Sequence, residues 1–587
     1  MTKQQFLELY QQAMHLTKHL KKQSNLLSMI RFGLSIMVIV DLLIGYFQNK
    51  PFLYILALLS LMIFMIIVVY HQHIQDKLRV SKAREDILND HIQRIDNKWD
   101  VFEDGKEFIK DDDYRSYDLD IFGKHSLYQM INICFTQLGR ARLAMYFTCQ
   151  KGHNQIKERQ EAVKELSQHI DFVFHIQTYG KLISKQNEKF IHQFIQLPKQ
   201  EKTISLYFML CPIMTCIALL FAMFSLFDPY SYIIGEVGIV IQLGYAFIRM
   251  MHHNSIFEPI AKLHKSLKGY YRIFELIENE NFESEYLKTL QKKLIKPKHS
   301  TLGIAHLSKI SQSVTYRQNI FAFVLLNALF SFDHIQLYRY QRWLLEYGQY
   351  LESWIDTLAE IEACMSLSVT SIDQFDVCIP TIKEDISLSF QNMRHPLIHT
   401  KKVVGNSWSL TGYTNIITGS NMSGKTTFMR TIALNLILAY AGGFVFADEM
   451  TCSFMNIYTS MRVKDNVEEG ISTFYGELLR IKEMIDQSQD DQPMICFIDE
   501  IFKGTNSLDR FAGAKATIEA LSLPHCLLFM TTHDFELCQM SNSSIQNYHF
   551  DEYYENGKIY FDYHIKNGQS KSTNGQFLLK QLGILKE

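Results

Sequence analysis

The sequence predicts an α/β domain at the C-terminus, preceded by an α-helical region that two long apolar hairpins interrupt. Three observations predict it. Residues 51–70 carry no charge, and three further runs of similar length are nearly as apolar. Between residues 337 and 358, apolar side chains recur at alternating three- and four-residue steps. Near residue 420 a short apolar run opens into a glycine loop and then into a helical pattern.

Composition narrows the function classes before any motif is read. The chain has 587 residues, enough for several domains with separate cores. Lys+Arg is 59 and Asp+Glu is 61, a formal net charge of -2, which excludes a strongly basic nucleic-acid coat and an acidic disordered tail. A hydrophobic share of 47% with only 10 prolines excludes a largely disordered chain. The 10 cysteines contain no Cys-x-x-Cys pair, so neither a zinc-ligand spacing nor a disulfide framework is present. Cys496 and Cys526 sit in strand-like apolar runs, where a small buried thiol is the simplest reading, and a reducing compartment is expected. Met1 to Lys22 is polar and amphipathic, and no small-residue cleavage site follows the apolar stretch, so no cleavable signal is expected.

The first hairpin follows an amphipathic segment, 1–26, and occupies 27–70. Leu27 to Phe47 is apolar apart from Arg31, Asp41 and small polar residues; Gln48-Asn49-Lys50 breaks the run, and Pro51 to Tyr70 completes the pair. Crossing the hydrocarbon core takes about twenty apolar residues, so both runs predict transmembrane helices. A first cytoplasmic core segment, 71–203, precedes the second hairpin at 204–248. There Ile204 to Phe227 is uncharged, Asp228-Pro229 makes a turn, and Tyr230 to Ile248 is apolar except for Glu236 and Gln242. A carboxylate in hydrocarbon is costly unless paired or neutral, and Asp41 facing Glu236 across the four helices is the expected solution. Buried core helices of a soluble domain are the competing reading, and Glu236 and Gln242 leave it more room in the second hairpin.

Orientation follows from the flanks. Lys18, Lys21, Lys22 and Arg31 lie at the first span, Lys77, Arg79, Lys82 and Arg84 after the second. Lys199 and Lys202 precede the third, and Arg249, Lys262 and Lys265 follow the fourth, whereas the outer turns carry little positive charge, Lys50 in one and none in the other. The positive-inside bias puts both long polar regions in the cytoplasm of a multi-pass membrane protein. The second polar region begins with a helical stretch, 249–385. In it Leu337, Tyr340, Leu344, Tyr347, Leu351, Trp354 and Leu358 draw one apolar stripe along a single long helix. A stripe of this kind is core packing first.

The last segment, 386–587, carries the chemistry. Asn415 to Thr418 reads as a strand, and Gly419-Ser420-Asn421-Met422-Ser423-Gly424-Lys425-Thr426 fits G-x-x-x-x-G-K-[ST] at every fixed position. In such a loop the glycines turn backbone N–H groups toward phosphate oxygens, the lysine adds a point charge, and the hydroxyl of Thr426 is offered to Mg²⁺. Phe428, Ile432 and Leu436 continue as a helix whose N-terminus favours an anion. A second strand, Met494 to Ile498, ends in Asp499-Glu500: an acid there holds Mg²⁺, and the next carboxylate polarises the attacking water. A third strand, Leu527 to Thr532, ends at His533-Asp534, where the histidine can sense the terminal phosphate.

Taken together these segments resemble the MutS family of ABC-type ATPases. The likeness rests on Gly419 to Thr427 with its Asn421-Met422, on Ile471-Ser472-Thr473-Phe474 followed by Glu477, and on Phe497-Ile498-Asp499-Glu500. It continues in Gly504-Thr505-Asn506-Ser507, in Thr532-His533-Asp534-Phe535-Glu536-Leu537, and upstream in Arg394-His395-Pro396-Leu397. Weaker likeness extends to Tyr117-Asp118-Leu119-Asp120-Ile121-Phe122-Gly123, Gly139-Arg140 and Arg159-Gln160-Glu161-Ala162-Val163, as the start of a core domain, and to Phe274 through Thr370 as lever helices. The resemblance implies an ABC-type ATPase using ATP and Mg²⁺. Gly419, Asn421, Met422, Gly424, Lys425, Thr426 and Thr427 would bind nucleotide, Thr426 and Asp499 the metal, and Glu500 would be the catalytic base. Ser472 would reach the γ-phosphate of the opposite subunit, Gly504 to Ser507 would cross the interface, and His533 would be the switch. Such composite sites imply a homodimer.

Departures from the family pattern shape the functional expectation. No mismatch-reading domain with its Phe-x-Glu wedge fits ahead of Asp118, and Phe6-Leu7-Glu8 has the letters but sits on a short amphipathic segment. The second hairpin stands where a DNA-gripping clamp is usual. Ser420 and Ser423 replace the usual Pro and Gly, Phe502-Lys503 the usual Gly-Arg, and Val403 to Asn406 offers no aromatic to stack on adenine. The leading expectation is a membrane-anchored dimeric ATPase that engages mismatched, duplex or branched DNA. The alternative is a mechanochemical ATPase that signals to a membrane partner without DNA. An ABC transporter is disfavoured, because Ser472 lacks the Gly-Gly-Gln that follows it in transporters.

Overall fold

The computed structural model describes residues 1–110, 113–148, 155–183, 220, 231–330, 332–462, 473–502, 506–540, 544–555 and 558–570. Two very long helices begin the chain, α1 (Lys3–Gln48) and α2 (Pro51–Ile95), paired as an antiparallel hairpin. Local chemistry sets their ends. Thr2 and Gln5 close a capping box on α1, Asn49 takes a left-handed conformation (φ 51°) at the turn, and Pro51 opens α2 where its missing N–H costs nothing.

At 1.5 Å per residue each helix is roughly 70 Å long, more than twice the hydrocarbon thickness. The two halves differ accordingly. In the distal half Met29, Phe32, Ile66 and Val69 stand 65–69% exposed, and both helices are long and apolar enough to cross a membrane. The proximal half is a polar-faced stalk zipped by Thr17–Ser81 and Ser24–His71 hydrogen bonds, each 2.9 Å. The amphipathic segment 1–26 is thus continuous with the apolar run. Phe6 lies within this helix, fully buried and stacked on His91, so Phe6-Leu7-Glu8 presents no wedge. Asp41 is buried in the distal half.

Of the second hairpin, 204–219 and 221–230 lie outside the described residues, as does the side chain of Glu236. Residues from Ser231 onward form the start of a 49-residue helix, α8 (Ser231–Asn279).

A helical body surrounds α13 (Leu351–Ile372), which is buried along nearly its whole length. Against it pack α5 (Gln137–Thr148), α6 (Ile156–Gln168) and α9 (Glu285–Ile295). The helices α4 (Leu127–Ile131) and α7 (Ile170–Lys181) fill the side toward α2, the short α3 (Tyr114–Asp118) packs on β6 (Asn456–Ser460) of the C-terminal domain, and α10 (Ser300–Thr315), α11 (Ile320–Phe330) and α12 (Phe332–Tyr347) run along α8. Glu362, 1% exposed, accepts two 3.0 Å hydrogen bonds from the N–H and hydroxyl of Thr136. The following helix, α5, crosses so closely that a Cβ on Gly139 would strike this carboxylate, which accounts for the glycine at 139.

The stripe from Leu337 to Leu358 is buried as expected, apart from the half-buried Leu344, but it does not lie on one helix. The helix breaks at residues 348–350, where Gly348 and Tyr350 separate α12 from α13. Glycine is a poor helix former, and Tyr350 stacks on Trp354 at 6.3 Å as the new helix begins.

The C-terminal domain holds two sheets. The smaller has strand order β1-β5-β2-β3: β1 (Thr381–Lys383), β2 (Leu388–Met393), β3 (Asn406–Ser409) and β5 (Glu449–Ser453). The larger has order β10-β9-β4-β8-β7-β6, and only β10 runs antiparallel to its neighbour. Its strands are β4 (Thr414–Thr418), β6 (Asn456–Ser460), β7 (Met494–Asp499), β8 (Cys526–Thr531), β9 (Ile545–Glu555) and β10 (Lys558–Asn567). β4, β7 and β8 are buried nearly throughout, as parallel strands covered on both faces must be. The helices are α14 (Lys425–Ala441), α15 (Thr473–Gln487) and α16 (Ser507–Leu521). Cys496 and Cys526 are buried free thiols on β7 and β8, which burial pushes up for Cys496. The three central strands end side by side, and the loops that leave them meet there.

Candidate active site

The glycine loop leaves β4 and turns into α14. Gly419 (φ 143°) and Gly424 (φ 109°) occupy backbone regions that side chains rarely adopt. A Cβ on Gly419 would also press on the carbonyl of Phe550 and the hydroxyl of Ser423, each at 2.9 Å. Met422 is left-handed too (φ 70°) and 84% exposed at the tip of the loop. Lys425, 5% exposed, folds back so that Nζ donates to the carbonyls of Gly419 (2.7 Å) and Ser420 (2.9 Å). Thr427 points outward from the first turn of α14. The Ser423 hydroxyl is fully buried without a hydrogen-bond partner, an orphaned donor at the floor of the loop.

Asp499 ends β7 directly opposite. The Thr426 hydroxyl donates to both its oxygens, at 3.0 and 2.9 Å, and the Thr531 hydroxyl at the end of β8 donates at 2.6 Å. Hydroxyl and carboxylate oxygens are the hard donors that Mg²⁺ takes, and Mg²⁺ usually keeps several waters and substrate phosphate oxygens besides one or two carboxylates. The donor set here fits that habit. Among the described residues no group of three or more His, Cys, Asp or Glu forms an all-protein metal cage.

Glu500 sits in a left-handed turn (φ 51°), its N–H donating to the Thr531 carbonyl at 3.2 Å and hydroxyl at 3.0 Å. A non-glycine residue held there stores strain that the surrounding bonds must sustain. Phe502 is also left-handed (φ 59°), and its N–H donates to Glu477 at 2.7 Å. Glu500 therefore projects from a doubly anchored turn. Its Oε1 lies 2.9 Å from His533 Nε2, and the same nitrogen is 3.1 Å from Asn421 Oδ1 in the glycine loop. Behind His533, Asp534 receives two 2.9 Å bonds from Arg510 on α16, which hold that guanidinium above its ordinary range.

The structure thus brings Gly419, Asn421, Gly424, Lys425, Thr426, Asp499, Glu500 and His533 to one place. Ser472 and Gly504 lie outside the described residues. Asn506 and Ser507 are described: the Asn506 side chain caps α16 by accepting from the Asp509 N–H at 2.9 Å.

Three neighbours of the site escape sequence reasoning. Thr531 orients Asp499. Glu552 of β9 accepts from the Ser420 hydroxyl. Tyr563 of β10 lies over the loop, its ring 3.2 Å from where a Gly424 Cβ would stand, with φ 57° at a break in the β9–β10 register and 44% exposure. The one signal available was Asn556-Gly557 between alternating aromatic residues, the mark of a tight hairpin.

Residues 415–584 match the family model described as MutS domain V. Similar curated proteins include a DNA mismatch repair protein MutS from Listeria welshimeri, 33% identical over 240 residues, which is 39% of this chain and 28% of that protein. The protein of the same name from Listeria monocytogenes serotype 4a is 34% identical over the same coverage. That from Shouchella clausii is 32% identical over 219 residues, 35% of this chain and 25% of the relative. The chain therefore spans about a quarter of the length of the curated relatives it matches.

Proposed function

Because its C-terminal part is of the MutS family, we propose that this chain is a membrane-anchored, dimeric P-loop ATPase that couples ATP turnover to engagement of DNA. The single observation that carries the ATPase reading is the meeting of Thr426 with Asp499 beside the glycine loop, with Glu500 and His533 across it. Residues 386–587 form the catalytic domain in this reading, 71–203 and 249–385 the core and levers, and 27–70 and 204–248 the membrane hairpins.

In this mechanism the loop N–H groups, the Ser423 hydroxyl and Lys425 take the phosphates. Lys425 exchanges its bonds to the loop carbonyls for phosphate oxygens. Thr426 and Asp499 hold Mg²⁺, which when bound neutralises phosphate charge. Glu500 accepts a proton from the attacking water, and His533 orients Glu500 and reads the γ-phosphate. Tyr563 stacks on the base, supplying the aromatic that Val403 to Asn406 lacks. Ser472 and Gly504 to Ser507 complete the site of a second copy.

The ligand class is tested by the salt dependence of binding to duplex, mismatched and branched DNA. Binding that weakens steeply with salt supports the reading. No binding to any of them at low salt refutes it and favours the alternative, a mechanochemical ATPase acting on a membrane partner. Two observations favour that alternative: the matched stretch is 39% of the chain, and the net charge of -2 leaves no basic excess.

A further inference from the structure

Helix α11 is built inside out. Its one amide faces the protein: Asn327 is 1% exposed, its Nδ2 donates to the Phe323 carbonyl at 3.0 Å, and its Oδ1 accepts from the Asp333 N–H at 3.1 Å. Phe323 also faces in, at 2% exposure. The other face is apolar and bare. Phe321 is 82% exposed, Leu325 58% and Ile320 55%. Water favours the reverse arrangement, with apolar groups inside and amides outside. A polar group satisfied inward and hydrocarbon turned outward is what a lipid environment selects.

Position decides what covers this face. Arg317, just before α11, donates to Asn254 Oδ1 at 3.1 Å, and its guanidinium lies 4.7 Å from the ring of Phe257, both on α8. Asn254 follows Ile248, the end of the apolar stretch of α8, by about 9 Å of helix. So α11 is held beside the point where that stretch ends. At 11 residues it is about 16 Å long, too short to cross the hydrocarbon core and of the length found in interfacial or re-entrant segments. α12 then leaves at 85° to α11, turning the chain back toward the helical body. Arg317 is itself neutralised by Asp333, at 2.8 Å, so this arginine brings no unpaired charge to the corner.

We propose that α11 lies in the cytoplasmic leaflet of the bilayer, with Phe321 and Leu325 among the acyl chains, as a membrane contact separate from the two hairpins. This rests on the membrane-anchored reading above. The test places a fluorescent amino acid singly at 321, 325, 32, 66 or 285 in the full chain. Each variant is reconstituted in vesicles of phosphatidylethanolamine and phosphatidylglycerol, with and without nitroxide-labelled lipid. Positions 32 and 66 report the first hairpin, and 285 is a water-facing control on α9. Loss of fluorescence at 321 and 325 as well as at 32 and 66, with none at 285, is the expected result. Quenching at 32 and 66 but not at 321 or 325 overturns the inference, whether protein or a second copy covers α11, and leaves the anchor standing. Quenching nowhere overturns the anchor, and this inference with it.

Discussion

Glu500→Gln separates chemistry from binding. The amide is nearly isosteric, and its oxygen can still accept from His533 Nε2, which lies 2.9 Å from Glu500 Oε1. The backbone bonds of residue 500 to Thr531 do not involve the side chain, so the strained turn survives. Lys425 keeps its bonds to the Gly419 and Ser420 carbonyls, and Thr426 keeps its bonds to Asp499. The substitution removes only the capacity to take a proton. A positioned general base contributes about 10²–10⁴-fold, which is about 2.7–5.5 kcal/mol of barrier. Single-turnover hydrolysis of ATP should fall by that factor while nucleotide affinity, read by equilibrium binding of a fluorescent ATP analogue, stays at the parent value. Lys425→Ala should do the reverse in the same assays, weakening binding, because Lys425 carries the charge at the loop. If Glu500→Gln turns over within about a factor of three of the parent, a difference of about 0.7 kcal/mol, Glu500 is not the base.

Further outcomes follow from other contacts. Tyr563→Ala should weaken nucleotide binding by about 1–3 kcal/mol, the worth of one base stacked on one ring, whereas Tyr563→Phe should bind as the parent does; equal affinity for all three removes the stacking role. Burial pushes the His395 imidazole down to about 3, so the unfolded chain takes up a proton near pH 6.5 that the folded one refuses. Stability should therefore fall as pH drops from about 6.5 toward 3, by about 2 kcal/mol at pH 5, and His395→Gln should flatten that slope in urea melts. Asp118, fully buried, accepts from the N–H groups of Met461 and Arg462 (3.0 Å each) and from Arg480 (3.2 Å). Asp118→Ala should cost about 3–5 kcal/mol in the same melts, since it leaves the Arg480 guanidinium buried and unpaired.

What the sequence made legible was whatever chemistry fixes by identity at short range. A turn that must run through φ 143° and φ 109° needs glycine, so Gly419 and Gly424 announce themselves. The acid after β7 is equally constrained, because only a carboxylate at the strand end meets the Thr426 hydroxyl. Contacts across long stretches of chain carried no such mark. Tyr563 reaches Gly424 from 139 residues away, at a break in the β9–β10 register between Phe561 and Ile565 that the Asn-Gly turn signal does not announce. The break at residues 348–350 was hidden because its three residues leave the apolar stripe in phase, so periodicity reads through it. The outward face of α11 was hidden for another reason: a short helix that is apolar but for Asn327 looks the same in sequence whether protein or lipid covers it.

The long first hairpin acquires a mechanical meaning from where its proximal end docks. His91 Nδ1 lies 2.6 Å from Asp373 Oδ1, and Arg94 donates to the other oxygen at 3.4 Å, all three side chains buried. Asp373 caps the C-terminal end of α13, eight residues before β1 of the C-terminal domain. The N-terminal amine of Met1 adds a bond to the Ile372 carbonyl at 3.1 Å. Both ends of the hairpin thus grip one point, and that point joins the buried central helix to the C-terminal domain. A helix pair about 70 Å long, rigid by continuous hydrogen bonding, moves its two ends together. Under the proposed function, a displacement of α13 on nucleotide binding would reach residues 27–70 without any flexible linker between. Substituting His91, which fixes the junction while touching neither nucleotide nor lipid, isolates that transmission from both of its ends.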